Sequence, residues 1–447
     1  MLLFILTSLF HLDRLAVIMI AVVVFIGLCV GSFAYRYLKG DGQYRAFFVR
    51  LSLLITSVVL MVSADHIGFL LVSWCISNGL LVRLMVHKSG WKAARASGWL
   101  AAKNFIVGSV CIATALGLFY LSTGETSIQA LLRQPMISTP MWAALGFLMV
   151  GAMSQSAIWP FHRWLLSSLN SPTPVSAIMH AGLINGGGFL LVRFAPLYLQ
   201  SPYLLTGLVV VGFLTAWLGT LWKLMQPDVK RMLACSTMGQ MGFMFVQCGL
   251  GLFPAAVAHL VWHGMFKAYL FLSSGSAAQE KRVDQGYPPS LPAFFGALLC
   301  GLVGSYSFAL ATGKTWFAND TTSVLTGVAF LAGSQFALPL LHAKPLRALP
   351  LALLGTGLAG LAYGGSVQLI TGLMAPMALM QPQALNGFHI AGLLALVLAW
   401  LYRLFARNPE KTKQAPAWVL KGYVLALNAS QPHPTTITNH RKHYQYQ

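Results

Sequence analysis

The sequence predicts an all-α polytopic membrane protein, and three observations carry that prediction. Of its 447 residues, 57% are hydrophobic and only 9% charged, against roughly a quarter charged in a soluble domain. Apolar runs follow one another along nearly the whole chain, each close to the roughly 20 residues that a helix needs to cross a bilayer. The charges that remain gather between the runs, and the basic ones favour one side.

Taken in order, the runs are bounded by charges or by Gly and Pro. They place helices near 15–37, 46–63, 66–86, 101–122, 142–166, 174–197, 203–223, 232–250, 254–274, 291–312, 323–341, 349–372 and 387–405, about thirteen in all. The opening stretch, Met1 to Phe10, is too short to span and lacks a basic leader or a small-residue cleavage site, so no removable signal peptide is expected. Polar and helix-breaking residues interrupt the pattern twice at membrane depth. The first stretch is Ser154 to Ala177, with Pro160, Pro172 and Pro174, and the second is Gly304 to Asp320. A pair of interrupted helices in the two halves of a chain points to a transport pathway at their interface. From about Asn408 the chain turns polar and rich in Pro and His. It therefore reads as a transmembrane domain, 1–407, followed by a tail, 408–447, in which the apolar patch Trp418 to Leu427 leaves partner docking and plain disorder both open.

The balance of 29 Lys and Arg against 9 Asp and Glu gives a net charge of +20. In a soluble protein that excess would suggest nucleic acid, but here alternation of the helices explains it. Twenty-four of the 29 basic residues fall on one face, and Arg14, Arg133 and Lys314 on the other, with Arg193 and Lys267 inside helices. The basic face is expected in the cytoplasm of a bacterial inner membrane, together with the tail, and no nucleic-acid partner is expected. Whether the Lys88 to Lys103 segment also holds anionic membrane lipid stays open. The six cysteines stand singly, without metal-ligand spacing, and read as small core residues.

All nine acids lie at helix ends or in loops: Asp13, Asp41, Asp65, Glu125, Asp228, Glu280, Asp284, Asp320 and Glu410. Ionisable groups inside the membrane are costly and need a reason, and those left are His180, His259, His263, Lys267 and Lys314, flanked by Lys230. His259, His263 and Lys267 recur at i, i+4 and i+8, which sets them on one helix face over about 12 Å of axis. Imidazoles, and a lysine that loses its proton when desolvated, suit the handing of protons along a line. A packing seam without ion traffic is the plainer reading. H-x-x-x-H also spaces two zinc ligands, but Leu260, Val261 and Trp262 supply no general base and no third ligand is evident, so no metal is expected in this chain. No phosphate loop, nucleophile elbow or dinucleotide fingerprint is present, and catalysis by this chain alone is not expected.

The stretches SPTPVSAIMHAGLINGGGFLLVR (Ser171 to Arg193), PDVKRMLACSTMGQMGFMF (Pro227 to Phe245) and AHLVWHGMFKAYLFL (Ala258 to Leu272) closely resemble the antiporter-like subunits of respiratory complex I and Mrp antiporters. The resemblance runs from about Phe10 to about Asp320, with the family's first helices missing or reduced to Met1 to Phe10. It implies two inverted five-helix repeats, each with a broken helix, around a midplane chain of polar residues. By motif, His180 matches the histidine after PTPVSA. His259, His263 and Lys267 match the family's His, His, Lys helix, Lys230 lies in its D-x-K-R turn, and Lys314 corresponds to the lysine of the second broken helix. Two positions depart. Cys75 follows Trp74 where the family has a glutamate, and Gln155 stands where the first broken helix carries a lysine. Losing both partners together avoids an unpaired buried charge and leaves Ser154, Ser156 and Asn78 as the polar groups able to hold water there.

That pattern resembles the membrane subunits of DAB inorganic-carbon accumulation complexes. The resemblance implies a large cytoplasmic, zinc-dependent partner like a carbonic anhydrase, with the zinc in that partner and none here. It further implies that a proton or sodium gradient, entering through this chain, drives hydration of carbon dioxide to bicarbonate. An antiporter or respiratory or hydrogenase subunit, and a nonconducting anchor for a soluble enzyme, are the alternatives.

Overall fold

The computed structural model describes residues 9–135, 138–278, 288–316, 318–405 and 416–437, and these form helices, with no strand among them beyond isolated bridges. Lys281, Arg282, Glu280, Asp284, Glu410 and most of Met1 to Phe10 lie outside the described residues, as do 406–415 and 438–447 of the tail.

The long helices are α1 (Arg14–Tyr37), α2 (Tyr44–Val62), α3 (Ile67–Met85), α4 (Lys92–Thr123), α5 (Thr139–Gln155), α6 (Thr173–Ala181), α7 (Gly186–Arg193), α8 (Pro202–Leu224), α9 (Val229–Gly249), α10 (Phe253–Leu272), α11 (Leu291–Ala311), α12 (Thr322–Leu341), α13 (Pro345–Met374), α14 (Gly387–Phe405) and α15 (Ala417–Ala429). Their starts are written in the sequence. Asp13 accepts from the Ala16 amide, Ser201 from Leu204, Asp228 from Arg231 and Ser290 from Ala293, which satisfies amides that a helix start leaves bare.

Among the described residues eleven helices are long and apolar enough to cross a membrane, counting α6 and α7 as one span. The expected number of about thirteen is therefore not reached on that basis. The segments 142–166 and 232–250 do fold as helices, but α5 stops after 17 residues at Gln155, and α9 carries Lys230, Arg231 and three glutamine or serine residues that lower its hydropathy. The span Thr173–Arg193 lies at the centre, with 94% of its core stretch buried, against 11% in α13 and in α14. A segment buried on all sides must be matched by close neighbours. A Cβ on Gly264 would lie 2.9 Å from the Ala181 carbonyl and one on Gly188 2.7 Å from Met244 Sδ, so glycine is what lets α10 and α9 reach the span.

One of the two expected interruptions is present. The chain leaves α5 at Gln155, runs through turns to Thr173, and breaks again between α6 and α7 at Gly182. The second does not break a helix, because Gly304 to Ala311 is continuous within α11, and the described residues that follow it are non-helical only between the end of α11 and the start of α12. The small residues there serve packing. A Cβ on Gly304 would meet Thr356 of α13 at 3.4 Å, while Ser305 Oγ bonds back to Leu302 O at 3.1 Å.

The reading of all six cysteines as core residues is also corrected. Cys235, Cys248 and Cys300 are buried, but Cys29 and Cys111 are half-buried and Cys75 is exposed, since helix phase turns these three toward the outside of the bundle. The described part of the tail is ordered against the chain's own basic face. Gln226 Nε2 donates to Ser430 Oγ (2.9 Å), the His433 amide to Ser167 Oγ (2.9 Å), and Asn170 Nδ2 to Thr436 O (2.8 Å).

Candidate functional site: a buried line of basic groups

On α10, His259, His263 and Lys267 are 7%, 5% and 0% exposed, while Trp262, Phe266 and Tyr269 of the same helix face outward. The two imidazoles lie nearly parallel with ring centres 6.1 Å apart, and Phe243 of α9 closes the far end at 5.6 Å from His259. His259 Nε2 and both nitrogens of His263 have no hydrogen-bond partner among the described residues.

Toward the basic face the line turns onto α9 and α6. Lys267 Nζ donates to the Leu233 carbonyl at 3.3 Å, and the same carbonyl accepts from Thr237 Oγ1 at 3.0 Å. With its only proton committed to Leu233, Thr237 Oγ1 accepts, so His180 donates to it from Nδ1 across 3.1 Å. The His180 ring stacks on Phe271 of α10 at 4.2 Å. Thr237 thus joins Lys267 to His180 although the two basic side chains sit on different helices. One step further, Lys230 Nζ donates to Thr173 Oγ1 at 3.1 Å, and Thr173 Oγ1 to the Tyr37 hydroxyl at 3.4 Å.

Among the described residues no acid enters this line. Among the described residues the ion pairs are His87 with Asp41 at 3.1 Å and Arg193 with Asp13, both at helix ends. Nor does any group of three or more His, Cys, Asp or Glu converge among them. Among the described residues the site is therefore basic, and whatever charge it carries is met there by hydroxyl and carbonyl oxygens, which orient water and cations without fixing either.

The diverged positions are placed differently. Gln155 Nε2 donates to Asn78 Oδ1 at 3.0 Å and to the Leu183 carbonyl at 3.2 Å, and Ser156 Oγ donates to the Ile184 carbonyl at 2.7 Å. Both carbonyls lie in the 3-10 turn that separates α6 from α7, so the end of one broken helix satisfies the break in the next. The residue facing Gln155 is Asn78; Cys75 is exposed on the other side of α3 and takes no part. Lys314 does not join the line. It sits in the loop after α11, where burial pushes its ammonium down to about 8 against the opposing pull of Asp320. Thr173, Thr237 and Asn185 belong to the site without having been marked by the sequence; Asn185, in the N-G-G-G run, bonds Ala181 O at 2.9 Å and Leu260 O at 3.4 Å.

A helical bundle with a broken central span and a buried basic line defines an antiporter-like membrane subunit. The chain belongs to the NADH:quinone oxidoreductase/Mrp antiporter transmembrane family, whose model matches residues 63–287, and the N-terminal model of complex I chain 5 matches 4–48. It is 38% identical over 287 residues to a probable inorganic carbon transporter subunit DabB1 of Halothiobacillus neapolitanus, covering 62% of this chain and 51% of that one. It is 36% identical over 275 residues to NADH-quinone oxidoreductase subunit L of Pseudomonas aeruginosa, covering 60% and 44%. The chain spans about half the length of these curated relatives. The fold is that of a chain in the Mrp complex from Dietzia sp. DQ12-45-1b, with a TM-score of 0.66 at 21% identity over 94% of this chain and 52% of that one.

Proposed function

We propose that this chain is the membrane subunit of an energy-coupled inorganic-carbon uptake complex of a bacterial inner membrane. A proton or sodium gradient discharged through the line His259, His263, Lys267, His180 and Lys230 drives a large cytoplasmic partner. The partner, zinc-dependent and like a carbonic anhydrase, hydrates carbon dioxide to bicarbonate, releasing one proton. The observation that carries ion coupling is the buried basic line itself. Three buried imidazole nitrogens with no hydrogen-bond partner among the described residues are sites where water or a transferring proton completes the bonding, because buried polar groups rarely stay unbonded. The inorganic-carbon reading is supported by the DabB relatives at 33–38% identity. It is also supported by the neutral Asn78–Gln155 pair, which removes a titratable step from the first half of the path. The test is uptake of labelled bicarbonate in a carbon-dioxide-requiring host expressing this chain with its neighbouring soluble subunit, with and without an uncoupler. Uncoupler-sensitive accumulation supports the reading, and accumulation indifferent to the uncoupler contradicts it.

A second reading, a subunit of a cation/proton antiporter or respiratory complex, is favoured by the 36% identity to subunit L. It predicts cation-dependent proton movement in vesicles holding the chain without any carbon-hydrating partner.

A further inference from the structure

α4 is 32 residues long, roughly 48 Å at 1.5 Å per residue, about 18 Å more than the ~30 Å of bilayer hydrocarbon. Counted back from its end at Thr123, some 20 residues fill the hydrocarbon, which puts Lys103 at the boundary on the basic side. The overhang carries an ordered face. Lys92, Arg95, Trp99, Lys103, Ile106 and Val110 follow at spacings of 3, 4, 4, 3 and 4, one stripe of a helix, and all six are exposed, Trp99 at 61%, Ile106 at 55% and Val110 at 58%. From the basic side inward, the stripe reads two cations, an aromatic ring, a cation and then aliphatic side chains. Lys103 Nζ lies 5.9 Å from the Trp99 ring centre, and Arg95 Nη1 is steadied on the Ser89 carbonyl at 3.1 Å. α3 packs beside it and ends its own exposed face, Val72 and Ile76, in exposed Arg83. No acid occurs between Asp65 and Glu125, so none of these charges is neutralised by a neighbour in sequence. A bias that only sets orientation needs charges on one side; it does not need them stacked in register above an aromatic ring and a lipid-facing aliphatic strip.

We propose that this face of α4 binds an anionic phospholipid of the leaflet on the basic side, its phosphate held by Arg95 and Lys103, its glycerol level with Trp99 and an acyl chain along Ile106 and Val110. A cation near an anionic membrane surface contributes about 1 kcal/mol, about a fivefold change in binding, so removing two lowers affinity about 25-fold. The full chain, purified in detergent, is titrated with phosphatidylglycerol and with phosphatidylcholine, and bound lipid is counted by native mass spectrometry. The wild type is expected to retain phosphatidylglycerol preferentially. The double variant R95A/K103A loses that preference by about 25-fold, W99L weakens both lipids, and K344A/R347A, at the start of α13, leaves the preference intact. Equal losses in R95A/K103A and K344A/R347A would overturn the site in favour of a diffuse charged surface. An R95A/K103A chain that keeps its phosphatidylglycerol but no longer co-purifies with its soluble subunit would overturn the lipid in favour of an acidic protein partner.

Discussion

Gln155 and Asn78, 77 positions apart, form a buried amide pair in which Gln155 Nε2 donates to Asn78 Oδ1 at 3.0 Å and reaches the Leu183 carbonyl at 3.2 Å. The pair couples the integrity of the broken central span to a neutral side chain. Gln155→Ala strips a donor from two buried acceptors, a loss of about 1–3 kcal/mol for each group left unsatisfied, whereas Cys75→Ala changes an outward-facing residue and costs little. Thermal unfolding of the detergent-solubilised chain checks the difference. A Cys75→Ala variant as unstable as Gln155→Ala would contradict the placement of Cys75.

Carbon uptake separates the same residues by role. His180 lies in the basic line through Thr237, so His180→Ala is expected to reduce uptake severely. Gln155→Ala and Cys75→Ala reduce it only as far as expression falls. Uptake per unit of membrane-inserted protein is the measurement, and equal damage by all three would mean that the first half of the path works by a titratable chemistry absent from Asn78 and Gln155.

Arg193 pairs with Asp13 and donates to the Val62 carbonyl at 2.8 Å, tying the end of the central span to the start of α1. Removing one partner of a buried pair leaves the other charge uncompensated, typically about 3–5 kcal/mol. Arg193→Ala should therefore lower the melting temperature strongly, and Asp13→Asn in the same chain should recover part of the loss. No recovery in the double variant would show that the Val62 contact, and not the charge pair, holds the ends together.

The tail strap gives a pH dependence. His162 lies in the turns after α5, beneath the Ala429 carbonyl and against the Trp222 ring at 4.8 Å, and burial pushes its imidazole down to about 4. The folded chain thus refuses a proton that the unfolded chain takes up near 6.5, so the stability contributed is full above that value and is lost as pH falls from about 6.5 toward 4. Truncation after Arg407 uncovers His162 and should flatten this slope, read as melting temperature against pH. An unchanged slope would mean that the strap does not bury the imidazole. If the soluble partner also leaves the membrane on truncation, the strap or α15 is part of its dock. If the partner stays, its dock lies on the loops of the basic face.

Lys314 titrates in the opposite window. Burial holds its ammonium at about 8, below the ordinary ~10.4 of lysine, so the unfolded chain binds the extra proton between these values and stability rises with pH from about 8 to about 10.4. Lys314→Gln should abolish that rise without affecting carbon uptake. A severe uptake defect would return Lys314 to the ion path.

Much of this was legible in the sequence, for identifiable reasons. His259, His263 and Lys267 share a face because their spacing is a property of one helix, and helix positions followed from apolar length. Asn78 opposite Gln155, and Thr237 between Lys267 and His180, depend on which helices meet, and spacing along one chain cannot carry that. Cys75 was marked by its place after Trp74, yet one residue along a helix is a turn of about 100°, enough to take it from the buried face to the exposed one. The second interruption was misread because Gly304 and Ser305 have two uses, breaking a helix or letting another pack closely, and α13 takes the second. The tail's polar composition hid a strap whose bonds are mostly made by serine, asparagine and glutamine to the loops of the basic face.

The central claim is that the buried basic line carries the coupling ion, and Lys267, fully buried and bonded among the described residues to the Leu233 carbonyl, is its most exacting test. Uncoupler-sensitive accumulation of labelled bicarbonate is compared between the wild type and Lys267→Ala, with Lys267→Arg to retain charge and insertion matched by membrane blotting. The account predicts that Lys267→Ala abolishes accumulation while the chain stays inserted and bound to its soluble partner. Normal accumulation by inserted Lys267→Ala would contradict it and reduce the line to a packing seam.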